Sequence, residues 1–287
     1  MHNYLYSYLS IVRCYLKMEV LILGNKLLER LSSVTSNAEQ VTPEVTLLNF
    51  TVVNAFLVGD PLSDGKEFVL VDTGLENAYD FILETVKKYY GKDIRPQCIV
   101  LTHGHFDHVG SVIKLSEYWD VPVYIHELEL PYVTGKMDYP KGDSTVGGEI
   151  SQMSPSFPHT SIDISYRINI LPQDGKIPGM YGWKWIHTPG HTRGHISLFK
   201  ELDRVLIAGD AISTTKQESM WSVITKKEEI SGPPAYMTED WEKAKESIIY
   251  LKSLEPAILL PSHGKPLRNL EIREQLEMLV NKIDKMY

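Results

Sequence analysis

Six consecutive residues constrain this chain more than any others: His103-Gly104-His105-Phe106-Asp107-His108. Three imidazoles and a carboxylate so close together form an uncommon concentration of ligands for borderline divalent metals such as zinc. The segment follows the apolar run 98–101, which reads as a short buried strand, and precedes Val109, Val112 and Ile113, which open a helix. In such a turn His103 and His105 point the same way, and the adjacent Asp107-His108 pair serves a second position nearby. Gly104 removes a side chain from a crowded turn, and Gly110 lets the backbone leave it.

Three later segments carry further ligand-type residues. His191 lies in Thr188-Pro189-Gly190-His191-Thr192-Arg193-Gly194-His195, Asp210 in Ala208-Gly209-Asp210-Ala211, and His263 in Pro261-Ser262-His263-Gly264. Each stands beside a glycine at the end of an apolar strand-like run, where the sites of layered sheets gather.

The rest of the chain supplies the layers. Residues 46–58 and 68–71 read as strands, the second closed by Asp72-Thr73-Gly74, and 76–90 as a helix. Strands follow at 121–125, 166–170, 183–187, 196–199, 204–208 and 257–260, with helices at 240–254 and 269–285. Trp183 and Trp185 share one strand face and read as sheet packing. Residues 35–43 are polar and turn-rich, like a linker. Two irregular stretches, 130–161 and 220–238, interrupt the pattern, and long loops of this kind are usually functional. Strands and helices mix throughout, as in a layered α/β or α+β core.

The ordered set His103/His105/Asp107/His108, His191, Asp210, His263, together with Val71-Asp72-Thr73-Gly74, resembles the metallo-β-lactamase superfamily over residues 46–263. The resemblance implies a four-layer αββα sandwich with the metals between the sheet edges. It implies two divalent ions, zinc first with iron or manganese as alternatives. His103, His105 and His191 would hold one, Asp107, His108 and His263 the other, and Asp210 would bridge them. It also implies hydrolysis by a metal-bridging hydroxide of an ester, thioester or lactone-type bond in a small molecule. Asp210 and Asp107 would carry catalysis, Asp107 by passing a proton to the leaving group. Asp72 and His195 are expected behind the ligands, His187 having the same option, as orienting partners. His126 and His159 are read as non-ligands.

Departures from better-known branches narrow the choice. The commonest zinc β-lactamases carry Cys at the position of Asp210, and acyl-homoserine lactonases carry Tyr at that of Ser213. Flavodiiron oxidoreductases have Glu in place of His105. Hydroxyacylglutathione hydrolases share Thr188-Pro189-Gly190-His191-Thr192 and Gly209-Asp210, but their C-terminal extension has no clear counterpart after His263. The chain is most similar to bacterial metallo-hydrolases near that branch. An iron-dependent sulfur dioxygenase uses a similar ligand set and is the alternative enzyme; a non-catalytic metal-binding module is the alternative from another class.

Charge and cysteines bound the setting. A formal net charge of −8 over 287 residues disfavours nucleic acid as a partner. The two cysteines, Cys14 and Cys98, do not make a disulfide framework, which points to a reducing, cytoplasmic compartment. Arg13, Lys17 and Glu19 interrupt the apolar stretch 5–23, which argues against a membrane span or signal peptide. Residues 1–44 are therefore expected to be a dispensable, helical extension, with Met18 an alternative start, and 45–287 the hydrolase domain. Within it, Tyr132, Tyr139, Phe157, Met220, Trp221 and Tyr236 are expected to wall a pocket for an acyl or alkyl chain, with Lys216, Gln217 and Glu218 beside it.

Overall fold

The structure is a computed structural model that describes residues 36–219, 222–223, 228–268 and 270–286. Strands β1 (Asn37–Thr42), β2 (Val45–Asn49), β3 (Asn54–Val58), β4 (Val69–Val71), β5 (Ile99–Val100), β6 (Val123–Ile125) and β7 (Ile168–Ile170) form one sheet in chain order. It is antiparallel from β1 to β4 and parallel from β4 to β7. A second sheet has the order β12 (Leu267–Arg268), β11 (Ile258–Pro261), β10 (Val205–Gly209), β9 (Ile196–Lys200), β8 (Trp183–His187). The helices are α1 (Tyr79–Tyr89), α2 (Phe106–Val109), α3 (Val112–Trp119), α4 (Leu130–Val133), α5 (Glu149–Met153), α6 (Trp241–Ser253) and α7 (Leu270–Met286).

Period-two alternation builds three apolar layers. Ala55, Leu57, Leu70 and Ile99 face α1 and α3, where Ile82, Val86 and Leu115 meet them. Their neighbours Phe56, Val58, Val69, Val71 and Val100 turn to the second sheet and pack on Leu198, Ile207 and Trp183. On its far side Leu206, Ala208 and Leu259 pack against Ile248 and Leu251 of α6 and Leu276 and Leu279 of α7. Strands covered on both faces read as unbroken apolar runs rather than alternating ones, which is the pattern of β3 to β5 and β10. The result is a four-layer αββα sandwich, as the sequence implies.

Two segments differ from expectation. Residues 46–58 are two strands, turning back over Phe50–Val53, where the Phe50 N–H donates to the Val53 carbonyl at 2.9 Å and Thr51 takes φ 71°. No Gly or Pro marks this turn. Residues 35–43, expected as a linker, contain β1, paired antiparallel with β2. Its polar residues Asn37, Glu39 and Gln40 suit a sheet edge, while Val41 is buried and its carbonyl accepts from the Arg268 guanidinium. The expected helical extension, with Cys14 and Met18, lies outside the described residues up to 35. Among the described residues no helix is long and apolar enough to cross a membrane.

Because β1 belongs to the sheet, the position of an N-terminal cut matters. A chain starting at Val45 loses one buried valine and a ladder of hydrogen bonds relative to one starting at Ser36. We expect its melting temperature to fall by about 2–8 °C, the effect of roughly 1–2 kcal/mol in a domain of this size. Equal melting of the two chains in a thermal scan would show that β1 contributes nothing.

Candidate metal centre

Each ligand-type residue sits where a strand stops. Asp72 follows β4, and the turn holding His103, His105, Asp107 and His108 lies between β5 and α2. His191 and His195 lie in the β8–β9 connection, Asp210 follows β10, and His263 follows β11. The two sheets meet here through backbone hydrogen bonds: Ile196 N–H to the Thr102 carbonyl at 3.0 Å, and Asn54 N–H to the Ser262 carbonyl at 2.7 Å.

The structure brings all seven sequence-nominated ligands together. His103, His105 and His191 present nitrogens within 4.8 Å of one another, as do Asp107, His108 and His263 with their carboxylate and ring atoms; His103, His108 and Asp210 form a third such group. Asp210 is central. Its Oδ2 lies 3.2 Å from His191 Nε2 and 3.1 Å from His263 Nε2, and its Oδ1 lies 3.3 Å from His108 Nε2. His263 Nε2 is 3.6 Å from Asp107 Oδ2.

Outer contacts decide which atoms face inward. His108 Nδ1 donates to Asp72 Oδ2 at 2.8 Å, and His263 Nδ1 donates to the Val52 carbonyl at 2.7 Å. Thr102 gives its hydroxyl proton to Asp72 Oδ2 at 2.8 Å and lies 3.1 Å from His103 Nδ1 as acceptor. These tautomers turn the Nε2 lone pairs of all three rings inward. His105 faces inward through Nδ1, 3.0 Å from His103 Nε2 and 2.9 Å from His191 Nε2. Among the described residues His108 Nε2 and Asp210 Oδ1 are buried without a hydrogen-bond partner. Converging lone pairs and orphaned buried acceptors are what divalent cations satisfy, so the donor set fits the metals the sequence implies.

Burial, with neighbouring imidazoles, holds His103 and His191 well below the usual histidine range, and burial pushes His105 down to about 3. These rings are neutral, the form that binds metal. At His108 burial works downward, but Asp210, Asp72 and Asp107 outweigh it and raise the ring well above that range. The negative field there favours a cation, proton or metal alike.

Of the residues expected behind the ligand-type groups, Asp72 and His195 contact them and His187 does not. Asp72 is fully buried at φ 59°, a left-handed conformation that aspartate tolerates, and holds both His108 and the Thr102 N–H at 2.8 Å. His195 touches Asp210 through the backbone: its Nε2 accepts from the Asp210 N–H at 2.9 Å, and its Nδ1 lies 3.1 Å from the Thr188 carbonyl. His187 does not reach the ligands; it stacks on His126 and donates to the Arg193 carbonyl.

A cavity of about 420 Å³ opens beside Asp107 and His263. Tyr139, Ile150 and Phe157 from 130–161 line it, with Val223 and Tyr236 from 220–238 and Phe106 and Val52 from the body. Tyr132 is not on this wall; it stacks flat behind Tyr139 at 3.9 Å and anchors it. Met220 and Trp221 lie outside the described residues. Lys216 is exposed, Gln217 is buried on the wall, and Glu218 accepts from the Ala235 N–H, tying the loop together. His159, not a ligand, is also on the wall. Sequence reasoning passed over Thr102 and Glu129. The signal for Thr102 was its place between strand and motif, and for Glu129 its place just after the strand 121–125 at the same sheet end.

An αββα sandwich with a His/Asp cluster at the sheet ends defines a metallo-hydrolase-like class of protein. The model of the metallo-beta-lactamase superfamily matches residues 48–263, and this chain belongs to that family. The probable metallo-hydrolase YflN of Bacillus subtilis is 45% identical over 255 residues, 88% of this chain and 96% of its own length. Hydroxyacylglutathione hydrolase GloC of Haemophilus influenzae is 24% identical over 161 residues, 55% of this chain and 66% of its own. Among solved structures, the subclass B3 metallo-beta-lactamase MEM-A1 from a soil metagenome library has a TM-score of 0.59 at 17% identity, covering 87% of this chain and 94% of that one. That likeness is one of fold.

The Asp72–His108 contact yields a direct test. Asn keeps the shape and the backbone conformation at position 72 but weakens the hold on the ring. Asp72→Asn should lower zinc affinity about 10–100-fold in chelator competition. Unchanged affinity would show that the contact does not orient the ligand.

Proposed function

We propose that this protein is a metal-dependent hydrolase that cleaves an ester, thioester or lactone-type bond in a small molecule with an apolar acyl or alkyl group. The observation that carries the reading is the junction of two features: an inward-facing His/Asp cluster and an apolar cavity that starts at Asp107 and His263. His103, His105 and His191 would hold one divalent ion, Asp107, His108 and His263 a second, with Asp210 between them; zinc suits this donor set. Bound there, such ions supply an acidified water and polarisation of a substrate oxygen.

The chain's own residues do the remaining work. Asp72 and the Val52 carbonyl keep His108 and His263 in the tautomer whose Nε2 faces inward. His195 fixes the backbone at Asp210, so its carboxylate stays between the histidines. Asp107 is the ligand-type residue with most exposure, its side chain at 15%. It faces the cavity and is placed to take up a proton and return it to the leaving oxygen or sulfur. Phe106, Ile150, Phe157 and Tyr236 exclude water from the acyl side and favour an apolar substituent. Selectivity comes from these walls, because the metal chemistry is common to many acyl bonds.

A panel of acetyl and octanoyl p-nitrophenyl esters and thioesters, with and without chelator, tests this. Hydrolysis should need metal, and Phe157→Ala should lower kcat/KM for octanoyl substrates about tenfold, the size of a lost apolar contact, while acetyl substrates change by less than about twofold. Turnover that survives chelation contradicts the metal reading. Equal slowing of both chain lengths contradicts the role of the wall.

A further inference from the structure

Glu129 lies just past the end of β6, in the turn His126-Glu127-Leu128-Glu129, where His126 Nδ1 accepts from the Leu128 N–H at 3.3 Å. It is completely buried, and among the described residues no Lys, Arg or His pairs with it. Four hydrogen bonds converge on its two oxygens instead. Oε2 accepts from the Gly104 N–H at 3.0 Å and from the Tyr139 hydroxyl. Oε1 accepts from the Thr192 hydroxyl at 2.7 Å and from the Gly194 N–H at 2.8 Å. Burial raises this carboxyl above the usual carboxylate range, the four donors work against that, and together they fix the side chain in place.

Three of the four donors belong to the two histidine-bearing loops. Gly104 is the residue between His103 and His105, and Thr192 follows His191. One side chain therefore ties together the loops that present all three histidines of one candidate ion site. The approach is close enough to dictate sequence. A Cβ on Gly104 would come within 2.6 Å of the Tyr139 oxygen, and one on Gly194 within 2.7 Å of Glu129 Cγ. These glycines are required by the tether rather than by backbone conformation. Tyr139 extends the link outward, because its ring lies 4.4 Å from that of His105 and also lines the cavity.

Resting on the metal reading above, we propose that Glu129 is a positioning residue. It sets the mutual placement of His103, His105 and His191, and so the affinity of the ion they hold, without touching that ion. The ion at Asp107, His108 and His263 does not depend on it, since His108 is oriented by Asp72 and His263 by the Val52 carbonyl.

Glu129→Gln separates the possibilities. Glutamine keeps the shape but puts an NH₂ where one oxygen was. The hydroxyl of Tyr139 or Thr192 can turn to accept from it, but the N–H of Gly104 or Gly194 cannot. Gly194 would lose its acceptor, and Gly104 would keep only the Tyr139 hydroxyl oxygen at 3.0 Å, so either loop is held less firmly. The experiment is titration of cobalt(II) into the metal-free full-length chain, read by visible absorption and chelator competition, with melting of the metal-free protein alongside. Wild type should bind two ions. Glu129→Gln should weaken one about 10–100-fold and leave the other within about twofold. Thr192→Val, which removes one of the two donors to Oε1, should shift the same ion in the same direction by less. Should Glu129→Gln fail to fold, Thr192→Val carries the test, and two unchanged affinities in it overturn the proposal. Unchanged affinities in Glu129→Gln also overturn it. So does an equal loss at both ions together with a fall in the melting temperature of the metal-free protein, which would mark a role in the fold at large. If wild type takes up no cobalt, the metal reading itself fails and the inference falls with it.

Discussion

Lone pairs facing one another inside a dry sandwich are the constraint on which the rest of this molecule depends. The nitrogens of His103, His105 and His191 converge to about 3 Å, and the Asp210 carboxylate sits among His108, His191 and His263. Burying unpaired acceptors costs roughly 1–3 kcal/mol each unless something positive meets them. The chain holds them there by their outer atoms. Asp72, Thr102, the Val52 carbonyl and His195 each hold the far side of a ligand group, so the inner lone pairs stay inward whatever meets them.

The sandwich makes this possible because its two sheets end at the same place. β5 delivers the histidine turn from one sheet, and β10 and β11 deliver Asp210 and His263 from the other. The Ile196–Thr102 and Asn54–Ser262 backbone bonds clamp the sheets where the ligands emerge. The hairpin tip at Val52 and the two long insertions then close over one side, with Phe157 against Tyr236 at 5.9 Å joining the insertions. A polar cluster held by its outer contacts thus opens onto an apolar chamber, the juxtaposition on which the proposed function rests.

Much of this was legible in the sequence because the ligands are local in pattern. The His103–His108 turn and the Gly-flanked Asp210 and His263 each sit at the end of a buried apolar strand, and the Gly-flanked His191 lies between the edge strand β8 and the buried β9. What was not legible depends on distant contacts or lacks a local mark. β1 is polar because it is an edge, so it reads as a linker. The Phe50–Val53 turn is apolar because Phe50 is core and Val52 reaches the site, so it reads as strand. Glu129 gathers donors from 25, 63 and 65 residues away, which no local window reveals. Tyr132 and Tyr139 look alike in sequence, yet one lines the chamber and the other stacks behind it.

In the proposed reading, seven residues from four strand ends hold two ions with Asp210 between them. Crystals of the full chain grown with zinc and measured at the zinc absorption edge test it directly. Two anomalous peaks are expected, one among His103, His105 and His191 and one among Asp107, His108 and His263, both in contact with the Asp210 carboxylate. A single peak, or two peaks of which Asp210 touches only one, would contradict it.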